Sequence, residues 1–417
     1  MFSRRVLTCI VACAAILLLA ALTVSAEQGT VLTDEEQLGE SIFFDDNLSI
    51  NQNQSCASCH APDVGWTGPI QAINEHGAVY EGSINGRFGN RKPPSSAYAT
   101  LSPVLHQDKK GLWIGGNFWD GRATGELLGN PAADQAQGPF RNPKEQALPD
   151  SACVVYRVCA ATYPVAFEDV WGADACAIDW PEDINDVCED ESGVVDLSID
   201  DREASDMAYD NIALSIAAYE DSSEVNAFTS KFDYAKAGMA KLTKMERLGW
   251  ALFRGKAKCA RCHTANGQEP LFTDFTYDNL GVPKNPENPV YAYDPGFVDY
   301  GLGGFLGDPA ENGKVKVPTL RNVGLGLGLD GSFVKAYGHN GYFKSLWGIV
   351  HFYNTRDVLD ECPGDYTMQE ALDDDCWPAP EVAENVNRDE LGDLGLTPFE
   401  EAALVAFMRT LSDGYQP

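Results

Sequence analysis

Histidine and methionine are scarce: the 417-residue chain has six of each. Few side chains can therefore ligate a soft or borderline metal, and each one that can is worth locating. Basic residues are also few. Thirty Lys and Arg stand against 62 Asp and Glu, for a net charge of −32. Such a surface repels nucleic acid and anionic membranes, which excludes functions built on binding either. After residue 26 no segment is apolar enough to cross a bilayer. The acidic stretch at 174–201 lacks EF-hand spacing and reads as a solvated loop rather than a calcium site.

The apolar run that does exist, Val6 to Leu22, follows Arg4 and Arg5 and ends at Val24-Ser25-Ala26. This is the pattern of a signal peptide over residues 1–26, with the mature chain starting at Glu27. Ser3-Arg4-Arg5 hints at twin-arginine export, but the strongly apolar run favours the general secretory route. The expectation is a periplasmic protein with no membrane span after cleavage. Losing residues 1–26 removes two arginines and no acid, leaving −34.

Twelve cysteines divide into groups. Cys9 and Cys13 leave with the signal. Cys56-Ala57-Ser58-Cys59-His60 and Cys259-Ala260-Arg261-Cys262-His263 are two CxxCH motifs. Two cysteines at this spacing reach the two vinyl groups of one haem, and the adjacent histidine ligates its iron. A lone CxxC would equally suit zinc or thiol redox chemistry. Two copies, each ending in histidine in an exported chain, point to two covalent c-type haems. The other six cysteines, Cys153, Cys159, Cys176, Cys188, Cys362 and Cys376, read as up to three disulfides in an oxidising compartment. Proximity along the chain pairs 153 with 159, 176 with 188 and 362 with 376.

The chain also contains a duplication. Thr33-x-x-Glu36-x-Leu38-Gly39-x-x-Ile42-Phe43 recurs as Thr243-x-x-Glu246-x-Leu248-Gly249-x-x-Leu252-Phe253, offset by 210. Both copies open with a capping box and continue with apolar residues at helical spacing. Both lead into CxxCH. The expected fold is mainly α: two cytochrome c-like helical domains with long loops and haems near their interface. The boundaries read as 27–235 and 236–417, with cysteine-containing insertions at about 150–201 and about 357–376. Further helices are expected from about Met207 to Tyr219 and from Thr397-Pro398 to about Leu411.

Function turns on the sixth ligand opposite His60 and His263. A protein ligand there makes an electron carrier, and an open position permits chemistry. Four other histidines remain, His76, His106, His339 and His351, and no methionine stands in an obvious ligand context. Here a resemblance enters. Phe118-Trp119-Asp120-Gly121-Arg122-Ala123, Gln135-Ala136-x-Gly138-Pro139 with Asn142-Pro143-x-Glu145, Tyr277 to Pro283, Val317-Pro318-Thr319-Leu320-Arg321-Asn322-Val323 and His339-Asn340-Gly341 resemble signatures of the bacterial di-haem cytochrome c peroxidase and MauG family. The resemblance covers the mature chain apart from the two insertions.

The resemblance implies an H2O2-dependent oxidoreductase with two covalent haem c groups. His60 would be the proximal ligand of the peroxidatic haem, Glu145 its acid–base group and Gln135 a hydrogen-bond partner for peroxide. Trp119 would carry electrons between the haems, and His263 would be the proximal ligand of the second haem. Counting fourteen residues from His339 lands on Tyr353 as the second haem's distal ligand, as in MauG-type proteins; the competing candidate is His351. His76 stands where ordinary peroxidases carry a histidine that blocks the peroxidatic haem, whereas the loop Gly86 to Pro94 looks MauG-like. A calcium ion between the haems is also implied. Lys92 occupies the place of its asparagine ligand, with Asn90 two residues away, which leaves that ligand in doubt. The electron source implied is a small cytochrome c or a cupredoxin, or, for a MauG-like protein, an aromatic residue of a partner protein. A plain electron carrier with both irons closed is the non-enzymatic alternative.

Overall fold

Seven helices of ten residues or more organise the described part of the chain: α1 (Asp34–Phe43), α2 (Pro131–Arg141), α3 (Ser151–Ala160), α4 (Ile199–Asp221), α5 (Lys244–Arg254), α6 (Leu346–Thr355) and α7 (Pro398–Met408). The computed structural model describes residues 31–326 and 333–417; the expected signal peptide lies outside the described residues. Among the described residues no helix is long and apolar enough to cross a membrane. Among the described residues, strand is limited to three two-residue pairs, 106–107 with 113–114, 277–278 with 315–316, and 360–361 with 376–377. The chain is mainly α with long loops, as expected.

Helix ends follow the chemistry of their first residues. Thr243 and Glu246 form the expected capping box, with the Thr243 Oγ1 accepting from the Glu246 N–H at 3.2 Å and the Glu246 carboxylate accepting from the Thr243 N–H at 2.7 Å. Thr397 and Glu400 cap α7 in the same way. Helix α4 starts eight residues before the expected Met207, because Ser198 caps the Asp201 N–H and Asp200 and Asp201 favour the positive end of the helix.

The duplication has a three-dimensional meaning. Helix α1 packs on α4, and α5 packs on α7. Each crossing is set by a duplicated glycine. A Cβ on Gly39 would stand 1.9 Å from the Ser215 carbonyl oxygen, and one on Gly249 would stand 1.9 Å from that of Ala403. Backbones approach this closely only without a side chain between them. Phe43 then meets Tyr219 at 5.6 Å, and Phe253 meets Phe407 at 5.2 Å, both residues of each pair buried.

A second duplicated element lies in the loops. The bridges Asn117–Ala123 and Tyr337–Phe343 frame two equivalent turns, offset by 220, that place Trp119 and His339 in the same role. The sequences Lys92-Pro93-Pro94-Ser95 and Lys316-Val317-Pro318-Thr319 are likewise equivalent. The loops of the two halves interlock reciprocally: the Lys92 N–H donates to the His339 carbonyl at 2.8 Å, and the Lys316 N–H donates to the Trp119 carbonyl at 2.9 Å. Asp34–Pro417 is accordingly one compact unit.

The disulfides correct two of the three expected pairings. Cys362 joins Cys376 as expected, but Cys153 joins Cys188 and Cys159 joins Cys176. Cys153 and Cys159 both lie on α3. Six residues of helix separate them by about 9 Å of rise, beyond the reach of a disulfide. The observed bridges close loops of 35, 17 and 14 residues, each stabilising by roughly 3–4 kcal/mol if chain entropy dominates. The acidic insertion is also more ordered than a loop. Its eight acids from Asp174 to Glu191 are exposed, while Ile178, Ile184 and Cys188 are buried and 184–189 is helical.

Candidate active site

Two large cavities flank the interlocked loops. Cys56, Cys59, His60, Gln135, Glu145 and Trp119 all line the first. Cys259, Cys262, His263, Tyr353 and again Trp119 line the second. The expected residues are thus gathered as two groups sharing one wall.

Each CxxCH folds as a short 3-10 turn. The His60 N–H donates to Cys56 O at 3.0 Å, and the His263 N–H donates to Cys259 O at 2.9 Å. The turn brings both thiols and the imidazole to one cavity. His60 Nδ1 lies 3.3 Å from Trp66 O, and His263 Nδ1 lies 2.9 Å from Phe272 O. These bonds fix the ring and reserve Nε2 for the cavity. Burial pushes His60 down to about 4 and lowers His263 too, so both imidazoles are neutral at pH 7, as iron ligation requires. None of the four cysteines is in a disulfide. Burial drives Cys59 and Cys259 up to about 12 and raises Cys56 and Cys262. Paired neutral thiols beside a neutral imidazole, at the edge of a largely apolar cavity, fit a thioether-linked haem in both places.

Beyond His60, the first cavity is polar where a substrate would sit. Gln135 comes from α2, which Asn130 caps by accepting from the Ala132 N–H at 2.8 Å. The turn after α2 delivers Glu145. The Glu145 N–H donates to Asn142 O at 2.9 Å, and its carbonyl accepts from the Ser83 N–H at 2.7 Å. Burial raises the Glu145 carboxyl above the usual range, while Arg122 and Asn142 pull it part of the way back. Arg122 lies over the Phe118 ring at 3.7 Å and pairs with Asp120 at 2.9 Å. A carboxyl lifted by burial and poised beside a guanidinium is suited to moving protons.

The second cavity is lined largely by apolar groups, among them Leu346, Ile349, Val350, Leu394 and Leu404, with Asp278 and Glu390 also in its wall. Tyr353 lines it too, its phenol raised by burial and then by Cys259 and Cys262. Met408 of α7 also lines this cavity. His351 does not. It lies on another face of α6, 3.0 Å from Glu401 and stacked on Trp347 at 4.9 Å. His76 lines neither cavity; it is exposed and bonds Glu287 at 2.7 Å. His106 is also exposed, with Nδ1 2.8 Å from Val104 O.

The shared wall contains Lys92, Pro94, Ser95, Trp119, Lys316, Pro318 and Thr319. Trp119 is buried there. Its indole N–H donates to Lys92 O at 2.8 Å, and its ring meets His339 edge-on at 6.5 Å. Beneath it Arg91 joins Asp120 at 2.6 Å and Asp299 at 2.6 Å, fixing the turn that carries the tryptophan.

Sequence reasoning passed over two cavity residues. Glu220, at the end of α4, is buried in the first cavity, and burial pushes its carboxyl up to about 8. Met408 occupies the equivalent place in the second half, since Tyr219-Glu220 packs against α1 as Phe407-Met408 packs against α5. Superposing the α4 and α7 sequences on their duplicated partners would have found both.

The comparisons agree with this geometry. Residues 33–241 match the family model of the di-haem cytochrome c peroxidases. The chain is 34% identical over 404 residues to the methylamine utilization protein MauG of Paracoccus denitrificans, covering 94% of this chain and 92% of that one. It is 28% identical over 295 residues to the cytochrome c551 peroxidase of Nitrosomonas europaea, covering 70% and 66%. The crystal structure of the diheme peroxidase BthA from Burkholderia thailandensis superposes with a TM-score of 0.69 at 28% identity, covering 91% of this chain and 86% of that one. With two matched CxxCH cavities sharing a tryptophan wall, the chain belongs to the di-haem cytochrome c peroxidase family.

Proposed function

We propose that the chain is an exported, periplasmic peroxidase that reduces H2O2 to water at the His60 site, with electrons arriving by way of the His263 site. One observation carries this reading: Glu145 and Gln135 share a cavity with His60, whereas the carboxylates that line the His263 cavity, Asp278 and Glu390, cluster with Cys262. The haem held by Cys56, Cys59 and His60 would supply the redox centre that gives peroxide two electrons. Gln135 orients the bound peroxide by hydrogen bonds. Ionised Glu145 takes the proton from the near oxygen and returns it to the far oxygen, which leaves as the first water; the near oxygen becomes the second water with two protons from solvent, and two electrons by way of the His263 site replace those given. Arg122 favours the ionised form of Glu145. Trp119, common to both cavities, gives electrons a short path across the wall. Each half, 27–235 and 236–417, holds one haem.

Tyr353 supports a second reading of the electron source. An oxygen ligand from tyrosine favours ferric and higher states, whereas methionine raises the potential. With Tyr353 facing the second cavity, that site shares oxidising equivalents and draws electrons from an aromatic residue of a partner protein, as in MauG-type proteins. A methionine at the same task, Met408, would instead favour a small cytochrome or a cupredoxin as donor. Our reading leaves the His60 site without a blocking histidine, since His76 is engaged at the surface with Glu287. It also leaves out the calcium ion, because Lys92 stands where its side-chain ligand would be and the lysine's ammonium group is bonded to Thr67 and Pro93. Metal analysis of the purified holoprotein tests that omission.

The Glu145→Gln variant tests the assignment. Peroxide turnover should fall about 10²–10⁴-fold. A loss under twofold would remove Glu145 from the chemistry.

A further inference from the structure

Two lysines stand in the wall between the cavities, and a third lies near Lys92 in the second cavity. Lys92 and Lys316 line both cavities, and Lys335 lines the second. None has a carboxylate partner among the described residues. The Lys92 ammonium donates to Thr67 Oγ1 at 2.7 Å and Pro93 O at 2.8 Å. That of Lys316 donates to Ser102 Oγ at 2.8 Å, to Asn117 Oδ1 at 2.7 Å and to Gly116 O. That of Lys335 donates to Asn322 O at 2.8 Å and Leu325 O at 3.3 Å. Every acceptor is neutral. A fourth group adds to the set. His339 is buried in the second cavity, and neither ring nitrogen has a hydrogen-bond partner among the described residues. The nearest carboxylate, Asp299 at 3.9 Å, is already held by both arms of Arg91.

Burying an ammonium group without a counter-charge costs several kcal/mol per ion. The cost shows here: burial pushes Lys92 and Lys316 down to about 7, and burial with the nearby charge of Lys92 holds Lys335 well below the ordinary lysine value. Hydrogen-bond donors alone would not need charge-bearing chains at three places. Lys92 and Lys316 are moreover the equivalent residues of the two interlocked Lys-x-Pro-Ser/Thr loops. Both halves therefore deliver a cation to the same wall. An anion must reach that wall when the protein is complete, and each haem brings two propionate carboxylates.

We propose that Lys92, Lys316 and Lys335, with His339 as a neutral donor, form a protein-borne site for the propionate carboxylates of the two haems. One wall thereby anchors the anionic edges of both cofactors and supplies the positive charge between them. This rests on the two-haem reading and is independent of peroxide chemistry at Glu145. Positive charge near an iron favours its reduced state. Because Lys92 and Lys316 face both cavities, each lysine acts on both haems, whereas a local packing defect would act on one.

The test is spectroelectrochemistry of the holoprotein. In Lys92→Met and in Lys316→Met, both haems should become harder to reduce by about tenfold in the reduction equilibrium, or 59 mV for one electron. Lys92→Arg should keep the wild-type potentials. Unchanged potentials in the methionine variants, or equal shifts in Lys92→Arg and Lys92→Met, would overturn the proposal. Wild-type protein treated with a calcium chelator should also keep its potentials; a shift there would assign the charge to a metal ion instead. If the methionine variants fail to mature, infrared difference spectra of wild-type protein with isotope-labelled propionates decide the matter. Ionised carboxylate bands at neutral pH are expected, and protonated ones would contradict the proposal. A Glu145→Gln variant with full turnover would refute the peroxidase reading while leaving these potentials in place.

Discussion

The two halves of this chain solve the same packing problem and then part company at the iron. Gly39 and Gly249 permit the same helix crossing, His60 and His263 are oriented by the same kind of carbonyl bond, and Trp119 and His339 occupy equivalent turns. The differences lie on the cavity walls. The first half presents Gln135, Glu145, Arg122 and Glu220, and the second presents Tyr353, Met408 and several aliphatic groups, with Asp278 and Glu390 beside Cys262. On the proposed reading, a duplicated scaffold would hold both haems, and a handful of side chains on the cavity walls would separate the reacting site from the conducting one.

The comparison breaks most visibly at Glu145. The Glu145→Gln variant should lose about 10²–10⁴-fold in peroxide turnover, with the spectrum of the second haem unchanged. Disturbance of both spectra would mean that Glu145 holds the fold rather than the proton. On the other side, Tyr353→Met should alter the spectrum of the second haem alone and raise its potential. Met408→Leu should leave that spectrum as it is. The opposite pattern would give the ligand role to Met408 and make the two halves less different than argued here.

Two smaller effects test what the halves share and how the first is tuned. Gly39→Ala and Gly249→Ala should each destabilise the holoprotein by about 1–3 kcal/mol, because the new methyl meets a backbone oxygen; thermal unfolding reads this out. A clear cost in one half only would deny the equivalence of the crossings. Arg122→Gln should shift the acid limb of the kcat/KM profile. Glu145 works as a base when ionised, so activity falls as pH drops through its raised pKa. Arg122 lowers that pKa, and removing the guanidinium should move the limb to higher pH. A limb that stays in place, or moves down, would separate Arg122 from Glu145.

Much of this was legible in one dimension because the informative features are local. A CxxCH turn, a threonine followed three residues later by glutamate, and apolar residues at helical spacing fix their own structure. The duplication at offset 210 linked two such segments and so revealed two modules. The features that stayed hidden depend on contacts far apart in the chain. Cys153 pairs with Cys188 because α3 carries Cys153 and Cys159 too far apart to bridge each other, and no spacing rule exposes that. His351 faces Glu401 rather than the cavity because helix α6 turns about 200° over the two residues to Tyr353. Glu220, Lys316 and Lys335 look like ordinary surface charges until the loops close over them. Gln135, Glu145 and Tyr353 were indicated by motif resemblance, since neither their burial nor their shared cavities can be seen in the chain order.

The most direct test of the division between the halves is addition of H2O2 to the fully ferric holoprotein, followed by electron paramagnetic resonance. The account predicts a high-spin signal from one haem that disappears promptly on addition of peroxide, while the other haem is low-spin from the start. Two low-spin centres that ignore peroxide would contradict it and leave the chain an electron carrier.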